Sequence, residues 1–199
     1  MRIVEMIQKL IDDHADFMVT QKNGTILLKP GKIPKCRHMI FKGLSPDIIN
    51  EYLRKEYRET FPEEFAQLLT IYNGFSLYWV KLKAEPKLEF AASMITVYGL
   101  PMLPPYDRPK DEDEPFDIRI EDLRRHKKVP AHWLKFGDFI HEYQFDPVTE
   151  LYCDTRAGTV HAVNRGDHRV INSWNCIDDC LCELVNYYSN SALEYDVAF

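Results

Sequence analysis

The sequence predicts a single α+β domain in which an antiparallel sheet meander is packed with helices, with a helix and hairpin at the N-terminal end and a closing C-terminal helix. Three observations carry this. Several segments repeat apolar residues at the spacing of a buried helical face. Several others are short β-forming runs divided by tight-turn residues. At 199 residues, 45% apolar and 28% charged, the chain suits one soluble domain able to bury a substantial core.

The first helix is read in "MRIVEMIQKLIDDHADF", where Ile3, Met6, Ile7, Leu10 and Ile11 form one stripe. Charge runs throughout it, so it does not read as a secretory leader, and no stretch approaches the roughly 18 apolar residues of a membrane span. A cytoplasmic protein is expected. In "FMVTQKNGTILLKPG", Asn23-Gly24 separates two apolar runs and predicts a two-residue hairpin turn, because both residues tolerate positive φ. In "GLSPDIINEYLRKEY", Ser45 is an N-cap, Pro46 fits the first helical position, and Ile48, Ile49, Tyr52 and Leu53 form the stripe.

"FPEEFAQLLTIYNG" reads as a third helix. Thr60 and Glu63 have capping-box spacing, Pro62 sits in the first turn, and Glu63 and Glu64 lie near the positive end of the helix dipole. Phe61, Phe65, Leu68, Leu69 and Tyr72 share a face, and Asn73-Gly74 is read as the helix stop, with Gly74 as a left-handed cap. "FSLYWVKLK" and "KLEFAASMITVYGL" are strand-like, broken at Pro86. "LPMLPPYDRPKDEDEP" holds five prolines in sixteen residues and reads as an exposed acidic loop. "FDIRI" returns to alternation, and "EDLRRHKK" reads as a helical turn. From Trp133, the runs "WLKFGDFIHEYQFD", "ELYCDT" and "TVHAVN" are divided by "PVTE" and "RAG", which predicts neighbouring antiparallel strands. "SWNCIDDCLCELVNYY" closes the chain as a helix with Ile177, Leu181, Leu184, Val185 and Tyr188 buried.

Charge and cysteine usage narrow the function. Residues 1–100 carry 14 Lys and Arg against 12 Asp and Glu, a net of +2; residues 101–199 carry 11 against 19, a net of −8. The acidic half argues against nucleic-acid binding, which depends on neutralising phosphates, and suits either a basic protein partner or a solvated surface. Five cysteines without secretory context read as reduced thiols. Cys176 and Cys180 could share a helical face, but structural zinc needs a second ligand pair that the chain lacks, so small buried thiols are expected and no metal or cofactor is assigned.

Motifs for catalysis are missing: there is no G-x-S-x-G serine, no glycine-rich phosphate loop and no paired histidines at metal spacing. Asp138, Asp146 and Asp154 recur near strand ends and, with His161, could do acid–base work, but the turn-former reading fits them better: Asp146-Pro147 opens a turn and Asp154 closes a strand. Trp79, Trp133 and Trp174 read as core more readily than as interface anchors.

Taken in order, the pieces resemble the SUKH superfamily, which includes bacterial immunity proteins and fungal cell-wall-synthesis regulators. Phe61-Pro62, Phe65, Leu68-Leu69 and Tyr72-Asn73-Gly74 resemble its signature helix. "WLKFGDF", "YQFDPVTELYCDTRAGTVHAV" and "SWNCIDDCLCEL" resemble its later strands and serine-led final helix. The resemblance spans residues 44–188 within a single domain of 1–199 and leaves 1–43 as an N-terminal extension; His161 stands where the family commonly has an aromatic. It implies a non-catalytic binding protein, and first an immunity protein that neutralises a cognate bacterial toxin, often a nuclease. The alternative it implies is an intracellular scaffold or regulator of cell-wall synthesis, and a third possibility is an enzyme using Asp138, Asp154 or His161. On the toxin reading the partner is basic, Asp111, Glu112, Asp113 and Glu114 are its contacts, and Pro62, Asn73, Gly74 and Trp174 serve the fold.

Overall fold

The computed structural model describes residues 1–28, 36–56, 61–84, 88–100, 128–140 and 149–194. Helix α1 (Arg2–Asp13) leads into the hairpin β1 (Met18–Thr20) and β2 (Ile26–Leu28), then β3 (Cys36–Lys42), α2 (Pro46–Glu56) and α3 (Glu63–Ile71). Strands β4 (Tyr72–Ala84), β5 (Leu88–Val97), β6 (Trp133–Phe139), β7 (Thr149–Asp154), β8 (Val160–Asn164) and β9 (Val170–Trp174) follow, and α4 (Ile177–Glu194) ends the fold. Among the described residues the nine strands form one sheet in sequence order, and every neighbouring pair is antiparallel. The α+β meander expected from the sequence is the observed architecture.

The helical stripes behave as their spacing predicts. Ile3, Ile7 and Ile11 of α1, Phe65, Leu68 and Leu69 of α3, and Ile177, Leu181, Leu184, Val185 and Tyr188 of α4 enter one core with Leu28, Ile40, Phe75, Leu77, Ile95, Val97, Leu134, Phe136 and Leu151 from the sheet. The N-terminal helix is therefore packed into the same core as the segment after residue 44. In α2 the stripe is narrower: Ile49 is buried while Ile48 is half exposed. Ser45 Oγ accepts the Ile48 N–H at 3.4 Å, as an N-cap does. On the opposite face of the sheet, Leu27, Met39 and Phe41 form one small cluster, and Val129, Tyr152 and Val163, with Trp133, form another.

Asn23-Gly24 does lie in a hairpin, with a longer loop than two residues. Gln21 and Thr25 close it (Gln21 N–H to Thr25 O, 2.9 Å), Gly24 N–H donates to Gln21 O, and Gly24 takes φ +84°. This is a three-residue loop with glycine in the left-handed region. Asn23 contributes its side-chain oxygen to the Thr25 N–H at 2.9 Å.

Two strands have no counterpart in the sequence reading. β3 holds His38 at an inward position, which interrupts the apolar alternation that signals a strand. β9 is exposed along Val170–Ser173, so no burial requirement patterns it, and α4 begins only at Ile177, after Ser173 and Trp174 have paired with β8. "FDIRI" and "EDLRRHKK" lie outside the described residues, as do Thr60, Pro86 and Asp146.

Candidate functional site

The Asn73-Gly74 junction joins α3 to the sheet, and its geometry differs from a helix cap. α3 stops at Ile71, and Tyr72 is already extended at φ −134°. Gly74 has φ +83°, two residues inside β4, and an added Cβ would lie 2.5 Å from the Val97 carbonyl oxygen and 2.8 Å from Gly99 N. Its glycine serves a kink that lets β4 approach the chain after β5. Asn73 secures that approach: its Nδ2 donates to Leu100 O and its Oδ1 accepts the Leu100 N–H, each at 2.7 Å. Pro62 precedes the first helical residue of α3 in extended conformation. Trp174 packs against the main core and its Nε1 donates to Glu183 Oε2 at 2.8 Å. These four residues have structural surroundings.

Nearby, α3 does something the helix-dipole argument alone does not contain. The Glu64 carboxylate reaches α4 and accepts the backbone N–H groups of Ile177 and Asp178, both at 2.9 Å. Asp178 in turn accepts the N–H groups of Arg2 (3.1 Å) and Ile3 (2.9 Å) at the start of α1. Arg2 also pairs with Asp178 and Asp179 through its guanidinium. Burial pushes the Asp178 carboxyl up, but the two N–H bonds and Arg2 outweigh it and hold it below the usual range. Three helices are thus tied by two carboxylate caps.

The carboxylates singled out as chemical candidates lie on the face of the sheet opposite the main core. Asp138 of β6 is directly across from Glu150 of β7, and Lys135 is across from Tyr152. Lys135 Nζ is 3.0 Å from Glu150 Oε1, Tyr152 Oη donates to Glu150 Oε2 at 2.9 Å, and Tyr98 Oη donates to Asp138 Oδ2 at 2.5 Å. Lys135 also lies 5.2 Å from the centre of the Tyr98 ring. The two acids respond in opposite directions. Burial raises Asp138, incompletely offset by Tyr98 and Lys135; burial also pushes Glu150 up, but Lys135 and Tyr152 bring it below its ordinary value. Lys135, Glu150, Tyr98 and Tyr152 were not singled out in the sequence. The i, i+2 alternation of Glu150 and Tyr152 along one strand was the available signal.

Asp154 and His161 belong to a neighbouring group around Trp133. The His161 ring stacks on Trp133 at 4.2 Å and 9°, and its two nitrogens are hydrogen-bonded to Ser173 Oγ (2.9 Å) and Thr159 Oγ1 (3.1 Å). Asp154 accepts the N–H groups of Arg156 (2.8 Å) and Ala157 (3.0 Å) and the indole N–H of Trp133 (3.3 Å), with His132 Nε2 at 3.3 Å. Burial works against its charge, but these donors hold the carboxyl low. Burial lowers His161 despite the field of Asp154. Asp154 therefore anchors the turn between β7 and β8, the role that turn chemistry suggested.

No protein-family model, curated protein or solved structure matches this chain. Its functional reading rests on its own residues. Among the described residues no group of three or more His, Cys, Asp or Glu side chains is arranged to hold a metal ion, and no helix is long and apolar enough to cross a membrane. Cys180 and Cys182 are buried on α4, while Cys176 is half-buried just ahead of it and its Sγ accepts the Asp179 N–H at 3.4 Å. Burial pushes the Cys153 thiol up to about 12 and Cys182 up to about 11, which makes these poor nucleophiles at neutral pH. Asp111, Glu112, Asp113 and Glu114 lie outside the described residues, as does the Trp79 side chain.

Proposed function

We propose that this chain is a SUKH-type protein-binding domain that acts in the cytoplasm as an immunity protein, occupying a basic, cognate bacterial toxin. The observation that carries the reading is the charge asymmetry, 19 acidic against 11 basic residues in 101–199. A toxin that grips nucleic acid is basic because it must neutralise phosphates, and an acidic protein can place carboxylates where those phosphates would sit. Asp111, Glu112, Asp113 and Glu114 are the densest such group in the sequence. The internal bonding of Asp138, Asp154 and His161 supports a binding role over catalysis, because each of these groups already holds strands or a turn together.

The test is affinity capture of the tagged full chain from its native cells at low and raised salt, followed by an inhibition assay on whatever basic toxin is recovered. The expected result is one basic toxin whose activity the chain blocks and whose association slows as salt rises. Reversing the four loop charges to Lys should weaken the complex at least about tenfold, the scale of several rim charges acting together. A set of host proteins without a toxin would assign the scaffold role instead. Turnover abolished by Asp138→Asn or His161→Gln in a folded protein would overturn both.

A further inference from the structure

Among the described residues the sheet ends in β1 on one side and β9 on the other, and the two edges are built differently. β9 carries features that oppose further pairing. Ile171 is an extra residue in its ladder, between the pairs Asn172–Ala162 and Val170–Val163, and the Ser173 N–H donates to Asn172 Oδ1 at 2.9 Å. β1 has no such device. Its residues pair with β2 without a register shift, and they include neither a proline nor a charge. They are also exposed: Met18 is 41% and Val19 49% exposed, and Phe17 just before them 46%. A regular, apolar, uncharged edge is a template for another strand.

The backbone and the flanking charges specify which strand fits. Gln21 N–H donates inward to Thr25 O, so by the alternation of an antiparallel ladder Val19 bonds to β2 while Met18 and Thr20 turn their N–H and C=O groups outward. Asp16 lies three residues before Val19 and Lys22 three residues after it. Both are exposed, and among the described residues neither is in an ion pair. An antiparallel copy of this same segment, centred on Val19, brings Asp16 of each chain beside Lys22 of the other. It also sets Met18 opposite Thr20, so that their outward-turned groups pair with one another. We propose that a second copy of this chain docks here, β1 against β1 about a two-fold axis at Val19, which joins the two sheets into one.

The apolar surface has the same centre. Val19, Leu27 and Met39 form one row across β1, β2 and β3 on the face away from the main core, and Leu27 and Met39 are buried with Phe41. Val19 meets its own copy at a non-hydrogen-bonded position, where opposed side chains come closest, and the row continues through the axis. A centre at Met18 or Thr20 slides Asp16 out of register with Lys22. The ladder is short, and interfaces under about 1,200 Å² belong to weak, transient complexes, so a dissociation constant in the micromolar range is expected.

The experiment is sedimentation velocity of the full chain over a concentration series spanning the micromolar range, with charge reversal and oxidative cross-linking to read the register. The native chain should pass from monomer to dimer as concentration rises. Asp16→Lys and Lys22→Asp should each weaken the dimer about tenfold, and the two together should restore it. Val19→Lys, at an exposed edge position, should give a monomer with native far-ultraviolet dichroism. Val19→Cys should cross-link to itself above the native background, because the paired Cα atoms lie about 4.5 Å apart. Met18→Cys should cross-link with Thr20→Cys in a mixture but not with itself. A chain that stays monomeric throughout, growth beyond a dimer, or a dimer indifferent to Val19→Lys would each overturn the docking. Self-linking of Met18→Cys as fast as that of Val19→Cys, or a double charge reversal that fails to restore the dimer, would overturn the axis at Val19.

Discussion

Glu64→Gln isolates the joint between α3 and α4. In the native protein both carboxylate oxygens are occupied, one by the Ile177 N–H and one by the Asp178 N–H, at the end of α4 where unpaired donors and the helix dipole favour negative charge. Glutamine keeps one acceptor but turns an NH2 group toward the second N–H and removes the charge. A hydrogen bond to a charged group contributes about 1.5–3 kcal/mol and a terminal charge about 0.3–1 kcal/mol, so losing one bond and the charge should cost about 2 kcal/mol. For a chain of this size that corresponds to about 4–8 °C in Tm. The neighbouring Glu63→Gln provides the control. Glu63 occupies the same first turn of α3 and shares its dipole, but among the described residues its oxygen accepts from the side chain of Gln67 alone, at 3.4 Å, so it should cost under about 0.5 kcal/mol. Urea unfolding followed by tryptophan fluorescence and far-ultraviolet dichroism would measure both as midpoint shifts at constant slope. Equal effects of the two substitutions would refute the cap between helices and leave only the dipole of α3.

Asp178→Asn should weaken the start of α1 by about 1 kcal/mol at pH 7. Because the folded protein holds this carboxyl low, its contribution is present above the unfolded value of about 3.9 and disappears as pH falls through the folded one; the gap between variant and native protein should therefore close in acid unfolding titrations. Asp138 has the opposite sign. Its folded value is raised, so its charge opposes folding at neutral pH and native stability gains as pH falls toward the unfolded value; Asp138→Asn, which can still accept from Tyr98, should remove that gain and raise stability at pH 7 by up to about 1 kcal/mol in the same titration. Gly74→Ala puts a methyl group into the Val97 carbonyl at positive φ and should cost at least about 3 kcal/mol, seen as a lowered Tm or loss of soluble protein.

The helices and the class of the fold were legible from residue spacing alone. Ile3, Ile7 and Ile11, or Leu181, Leu184 and Val185, can be read without a structure because a helix that buries one face must repeat apolar residues at its own period. The strands between Trp133 and Asn164 were legible for a similar reason, since short turns between apolar runs leave few alternatives to a meander. The chemical candidates Asp138, Asp154 and His161 could be picked out by residue type, but their partners could not. The Asp138 carboxyl meets Tyr98 across 40 residues, and Glu64 meets the start of α4 across 113.

Those pairings came from packing between distant segments, because a hydrogen bond depends on which groups the fold brings within about 3 Å and leaves no period in the chain. Packing also decided β3 and β9. One carries a histidine inward at a bulge, and the other is an exposed edge strand, so neither writes the alternation that a half-buried strand requires. Gly74 shows the same division within one residue. Its need for positive φ was readable from its chemistry, whereas its place inside β4, against the backbone that follows β5, follows from the way two distant segments pack.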